Sequence, residues 1–100
     1  MIELRDNTLY VGVPLTMERA SAATESGLKA LGKIRSGQEV VIDLSGLIEA
    51  DSSALAALLA WQRAVALSGG SVRIQQAPAG LQSIARVYGA ESLLPGLVAA

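Results

Sequence analysis

The chain has 100 residues with no cysteine and no histidine, and its 8 basic and 9 acidic residues give a formal net charge of -1. This length predicts a single domain over residues 1–100, and the near-neutral charge gives no sign of the basic surface that nucleic-acid binding requires. Without thiolate or imidazole groups, we expect no enzyme, no metal and no bound cofactor. The sequence opens without a signal-peptide pattern and its apolar runs fall short of the ~20 residues of a membrane span, so we expect a cytoplasmic chain that does not insert into a membrane.

The first part of the chain has the patterns of a hairpin and a helix. Apolar and polar residues alternate over residues 2–5 and 8–13, around the turn signal Asp6-Asn7, which predicts two antiparallel strands. Thr16 is the expected N-cap of a helix that ends near Ser36-Gly37. The apolar residues of this helix recur at spacings of three and four residues, which is the pattern of an amphipathic helix. Together with Thr24, this stripe consists of Met17, Ala20, Leu28, Leu31 and Ile34. The segment GLKALGK within it lacks the hydroxyl residue and the strand–loop context of a nucleotide-binding loop.

The second part predicts two further strands and two further helices. Residues 40–42 form a continuous apolar run, which is typical of a strand covered on both faces. A helix from about Asp51 to Ser68 follows, and the alternation in SVRIQQA predicts the next strand. We expect this strand–helix–strand unit to cross over right-handedly, which makes its two strands parallel neighbours. Pro78 begins a last helix with Leu81, Ile84 and Tyr88 on one face, and the final LLPGLVAA is expected to be a loosely docked end.

The helix after Asp51 is apolar on almost every side, since Gln62 and Arg63 are the polar residues between Ala54 and Leu67. Large aliphatic side chains share one stripe, which suits packing on the sheet: Leu55, Leu58, Leu59 and Val65. The opposite stripe carries small residues, with Trp61 and Arg63 at its edges: Ser53, Ala56, Ala57, Ala60 and Ala64. Alanine is also the best helix former, but an apolar stripe beside tryptophan favours a docking face for another protein.

Ser52, at the head of this helix, has two interpretations. Asp51 or Ser52 caps the helix, which is the favoured explanation of these residues. Alternatively, Ser52 is a candidate phosphoacceptor, because it follows the carboxyl end of a strand, where open α/β sheets place their sites. A phosphate there would add negative charge beside Glu49 and Asp51, at the rim of the docking face. Asp43 is close to these acids in sequence, but strand alternation and the turn are expected to point the three apart, so no metal site is predicted.

Several short motifs occur in an order that resembles the STAS domain family, the sulfate-transporter and anti-sigma-factor-antagonist domain. Asp43-Leu44-Ser45 ends an apolar strand, Asp51-Ser52-Ser53 begins a helix, and Gly69-Gly70 precedes the strand SVRI. The resemblance covers nearly the whole chain. It implies an α/β fold of the STAS type, with a four-stranded mixed sheet and helices packed mainly on one face.

Within that family, the alanine-rich helix, Trp61-Gln62 and the ending LQSIARVYGAESLLP are most similar to the MlaB group. Those proteins are the small cytoplasmic STAS subunits of bacterial phospholipid-trafficking ABC transporters, which maintain outer-membrane lipid asymmetry. The resemblance implies a non-catalytic chain that binds the MlaF-like ATPase subunit and, through it, reaches an MlaE-like permease and an MlaD-like subunit. It would then be peripheral at the inner membrane. The residues expected to bind the partner are Ser52, Ser53, Ala56, Ala57, Ala60, Trp61, Arg63 and Ala64.

The family also offers an alternative, an anti-sigma-factor antagonist regulated by phosphorylation. The serine that matches Ser52 is the phosphoacceptor in those proteins. Ala54 stands where many of them have glycine, and its methyl group is expected to hinder a kinase. In either case, the exposed alanine stripe predicts weak self-association when no partner is present.

Overall fold

The computed structural model describes residues 1–98, and these contain four strands and three helices in the predicted order. The strands are β1 Ile2–Arg5, β2 Thr8–Val11, β3 Glu39–Asp43 and β4 Ser71–Gln75, and the helices are α1 Ala20–Leu31, α2 Ser53–Leu67 and α3 Ala79–Tyr88. The strand order in the sheet is β1-β2-β3-β4, with β1 antiparallel to β2 and the other two pairs parallel. The predicted four-stranded mixed sheet is therefore confirmed.

One face of the sheet is covered by helices. Helix α1 connects β2 to β3 and α2 connects β3 to β4, and because both crossovers run in the same direction, right-handed connections place both helices on the same face. The two helices pack against each other, and Leu81 and Ala85 of α3 join the same core. The sheet contributes to that core the buried side chains of Leu9, Val11, Val40, Ile42, Val72 and Ile74. No helix in the described part of the chain has the length and apolarity to cross a membrane.

Trp61 fixes the distance between α1 and α2. Its side chain is fully buried, and its indole Nε1 donates a hydrogen bond of 3.0 Å to the Thr24 carbonyl oxygen. A buried indole needs such an acceptor. A Cβ atom on Gly27 would lie 2.3 Å from the ring, so α1 can approach Trp61 this closely only because Gly27 has no side chain.

Helix α1 is shorter than predicted. Thr16 does not cap it with its side chain; its carbonyl oxygen accepts hydrogen bonds from the amides of Arg19 and Ala20 in the preceding turn, and Arg19 occupies the N-cap position. The helix already ends at Leu31, with Gly32 at the C-cap position. Its predicted buried stripe is also partly wrong, because Met17 is 80% exposed and Leu28 lies at the surface. Small residues face α2 instead, and the buried residues are Ala23, Gly27 and Leu31.

The segment after α3 is firmly docked, so the prediction of a loosely docked end is wrong for residues 94–98. Leu94 and Leu97 are fully buried, and the Ile74 amide donates a hydrogen bond of 2.8 Å to the Pro95 carbonyl oxygen. Gly96 permits this approach, since a Cβ atom there would lie 2.1 Å from the Ile74 oxygen. The segment thereby covers part of the outer edge of β4, which protects unpaired backbone groups. Residues 99–100 of the predicted tail lie outside the described range.

Candidate functional site

Two loops at the carboxyl ends of β2 and β3 run side by side. Leu15 and Ala50 form a parallel bridge between them. The Leu15 amide donates to the Glu49 carbonyl oxygen at 2.9 Å, and the Asp51 amide donates to the Leu15 carbonyl oxygen at 3.2 Å. The loop that leads into α2 is therefore held by the segment that leads into α1.

Asp51 holds the start of α2. Its Oδ1 accepts hydrogen bonds from the Ser53 hydroxyl and, at 2.8 Å, from the Ser53 amide, while its Oδ2 accepts a bond of 2.9 Å from the Met17 amide. The bond from the Ser53 hydroxyl, followed by those from the two amides, lowers the pKa of Asp51 below its ordinary value. Of the two candidate capping residues, Asp51 is thus the one whose side chain satisfies an amide at the start of the helix.

The hydroxyl of Ser52 makes no contact that stabilises the fold of residues 1–98. Ser52 occupies the N-cap position of α2 and is exposed, and its side chain makes no capping hydrogen bond. Within residues 1–98 its hydroxyl has no hydrogen-bond partner, although its carbonyl oxygen accepts from the Leu55 amide at 3.2 Å. This hydroxyl is therefore free to contact another protein or to be modified.

Helix α2 is rotated about its axis relative to the predicted orientation. Ala57 and Trp61 are 1% and 0% exposed, so the prediction that they belong to an exposed docking face is wrong. The physical reason is that α1 packs on this side of α2, and small side chains allow its close approach. Among the other expected partner-binding residues, Ala56 and Arg63 are exposed, whereas Ser53, Ala60 and Ala64 are half-buried. Leu59, expected to face the sheet, is only half-buried.

A groove with a volume of about 360 Å³ lies between α2 and the end of α3. This α2–α3 groove is lined by Ser52, Leu55, Ala56, Leu59, Tyr88, Gly89, Ala90 and Leu93. Tyr88 and Leu93 are 67% and 56% exposed, so large apolar surface is open to solvent beside the Ser52 hydroxyl. Neither residue was predicted to belong to a site: Tyr88 was expected only to share a helix face with Leu81 and Ile84, and nothing in the local pattern indicates that α3 ends next to α2.

Asp43 belongs to a separate polar cluster at the end of β3. Its carboxylate accepts hydrogen bonds from the Ser45 hydroxyl at 2.5 Å, the Ser45 amide at 2.8 Å and the Gln75 Nε2 at 2.6 Å. Burial acts to raise the pKa of Asp43, but these hydrogen bonds outweigh it and lower the pKa below its ordinary value. No group of three potential metal ligands occurs among the described residues.

A family model described as "Mlab, STAS domain" matches residues 3–96. The chain belongs to this STAS domain family. Its motifs have a structural basis in this STAS domain, because Asp43 and Asp51 each accept hydrogen bonds from both the amide and the hydroxyl of the serine two residues later. The resemblance inferred from these motifs is confirmed.

Solved structures agree on the fold. The structure of the anti-sigma factor antagonist SpoIIAA in its unphosphorylated form matches this STAS domain with a TM-score of 0.71 and 11% identity. The match covers 94% of this chain and 84% of that chain. At this identity the likeness concerns the fold alone. No curated protein sequence matches this chain.

Proposed function

We propose that this STAS domain is a non-catalytic subunit of a phospholipid-trafficking ABC transporter that maintains outer-membrane lipid asymmetry. It binds the MlaF-like ATPase subunit through the surface headed by Ser52 and supports the assembly or activity of that subunit. The MlaE-like permease and the MlaD-like subunit are reached only through the ATPase. In this arrangement the domain lies in the cytoplasm, at the inner membrane, without entering lipid.

The observation that carries this proposal is the free hydroxyl of Ser52 next to the α2–α3 groove. Protein interfaces combine an apolar centre, which is desolvated on binding, with a few polar groups that fix the orientation of the partner. Leu59, Tyr88 and Leu93 supply the apolar surface, and Ser52 supplies an unused donor and acceptor at its edge. Membership of the family described as Mlab supports the transporter as the setting.

The proposal is tested by introducing a charged side chain into the wall of the α2–α3 groove. Ala56 is exposed and lines the α2–α3 groove, so Ala56→Arg should abolish co-purification with the MlaF-like ATPase of the same genome without changing the melting temperature of the domain. Ala66→Arg is the matched control, because Ala66 is an exposed alanine about 15 Å further along the same helix. Undiminished binding by Ala56→Arg, or equal loss in both variants, would refute the assigned surface.

The free hydroxyl also favours a second function, an anti-sigma-factor antagonist switched by phosphorylation of Ser52. Ala54 is fully buried, so its methyl group points away from solvent and the expected hindrance of a kinase has no structural basis. The fold shared with SpoIIAA is compatible with this function. To test phosphorylation, the domain is incubated with ATP and a kinase encoded next to its own gene, and its intact mass is measured, with Ser52→Ala as the control. A mass that does not change removes this candidate.

A further inference from the structure

Two large apolar side chains are exposed on the paired loops that lead into α1 and α2. Ile48 is 94% exposed and Met17 is 80% exposed. Neither belongs to the α2–α3 groove. Exposed apolar side chains mark a protein interface where they lie close enough together to form a patch.

The two loops form one connected structure near Ser52. The Leu15–Ala50 bridge joins them, and the Met17 amide is hydrogen-bonded to Asp51, the residue before Ser52. Ile48 lies two positions before the bridge. Both apolar side chains are therefore carried by the same loop pair as the free serine hydroxyl, and little conformational freedom is lost when a partner covers them.

The charge of this end of the molecule is negative. Glu18 and Glu49 are exposed next to Met17 and Ile48, and the β3–α2 loop contains no basic residue. Arg19 follows Glu18 at the end of the first loop, so residues 12–19 and 44–52 together carry three acidic residues, Glu18, Glu49 and Asp51, against this one basic residue. The exposed basic residues of the α1–β3 connection, Lys33 and Arg35, lie at the opposite edge of the sheet.

We propose that Met17, Glu18, Ile48 and Glu49 form a carboxyl-edge surface that extends the ATPase-binding surface. It takes a segment of the ATPase subunit in which apolar side chains are flanked by lysine or arginine. This inference rests on the proposed function and specifies the chemistry of the partner. The apolar side chains of such a segment cover Met17 and Ile48, and its cations meet the two glutamates, whereas an acidic segment would bring like charges together.

The apolar half of the proposal is tested by the affinity of the purified MlaF-like ATPase for serine variants. Met17→Ser and Ile48→Ser should each weaken binding at least about tenfold, as hot-spot residues do. Leu67→Ser is the matched control, because Leu67 is 82% exposed but lies at the far end of α2. All three side chains are exposed, so the melting temperatures of the variants should equal that of the wild type.

The charged half is tested by association kinetics. Glu49→Lys should slow association and reduce its dependence on salt, because complementary charges act mainly on the encounter rate. Glu25→Lys, at an exposed position on the body of α1, should change neither. If the wild type binds and the Met17, Ile48 and Glu49 variants behave like their controls, the inference is overturned while the proposed function stands. If the wild type itself does not bind, both are overturned.

Discussion

Gly27→Ala tests whether the contact between α1 and α2 depends on the absence of a side chain. The new Cβ atom would lie 2.3 Å from the Cε2 and Nε1 atoms of Trp61. Heavy atoms that are not bonded to each other do not approach this closely in proteins. The ring cannot move away easily, because it is fully buried and its Nε1 is hydrogen-bonded to Thr24. Relief of this contact requires α1 and α2 to shift apart, and because the acceptor Thr24 lies on α1, that shift also draws the indole Nε1 away from it.

Two effects of opposite sign determine how Gly27→Ala changes the free energy of unfolding. Alanine stabilises a helix interior by about 1 kcal/mol relative to glycine. Overpacking costs about 1–3 kcal/mol, and a buried N–H without an acceptor costs about 1–3 kcal/mol more. The cost is larger, so we expect the free energy of unfolding to fall by about 1–5 kcal/mol. At about 4–8 °C per kcal/mol for a domain of this size, the melting temperature should fall by at least about 4 °C.

Thermal and urea unfolding, followed by circular dichroism, measure this change. Gly80→Ala in α3 is the matched control, because a Cβ atom there meets nothing within 4 Å and should stabilise the helix slightly. The chain has 1 tryptophan, so a shift of fluorescence towards that of exposed indole reports the separation of the helices directly. If Gly27→Ala melts at or above the wild type, the tight packing of Trp61 on α1 is refuted.

Four other variants probe the tail, the loop and the buried acid. Leu97→Ala should lower the free energy of unfolding by about 2–5 kcal/mol in urea, because Leu97 is fully buried, whereas a loose tail would give no change. Ser52→Ala should leave the melting temperature unchanged and Asp51→Ala should lower it; equal effects would contradict the assigned hydrogen bonds. Burial acts to raise the pKa of Asp43, but its hydrogen bonds outweigh burial and lower the pKa below its ordinary value. The carboxylate therefore stabilises the fold fully above the ordinary pKa, and this stabilisation is lost as the pH falls through the pKa of the folded state. The melting temperature of the wild type should therefore fall as the pH is lowered below about 4, and that of Asp43→Asn should fall less. An identical dependence of both melting temperatures on pH would exclude this contribution.

The order of the elements could be predicted because the signals that define each element are local to it. The apolar run at Val40 to Ile42 marks β3 without reference to any other segment, and Gly69-Gly70 marks the end of α2. The DLS and DSS motifs could be recognised for the same reason, because each contains both the carboxylate and the serine of its hydrogen bonds.

The rotation of α2 could not be predicted, because it depends on a different helix. Nothing near Trp61 in sequence indicates that Gly27 will leave room for its ring. The start of α1 has the same kind of cause, since the Met17 amide bonds to Asp51 and the helix begins only after the next turn. A stripe of alanines is compatible with an outside partner and with a neighbouring helix of the same chain, and the sequence does not distinguish the two.

The separate roles of Asp51 and Ser52 place two neighbouring codons under different selection. Replacement of Asp51 should disturb the loop whatever protein the domain binds, because its carboxylate accepts hydrogen bonds from amides of two segments. Replacement of Ser52 alters only what a binding protein encounters. Across relatives that keep this turn, position 51 should therefore vary little, while position 52 changes with each new interaction that the lineage acquires.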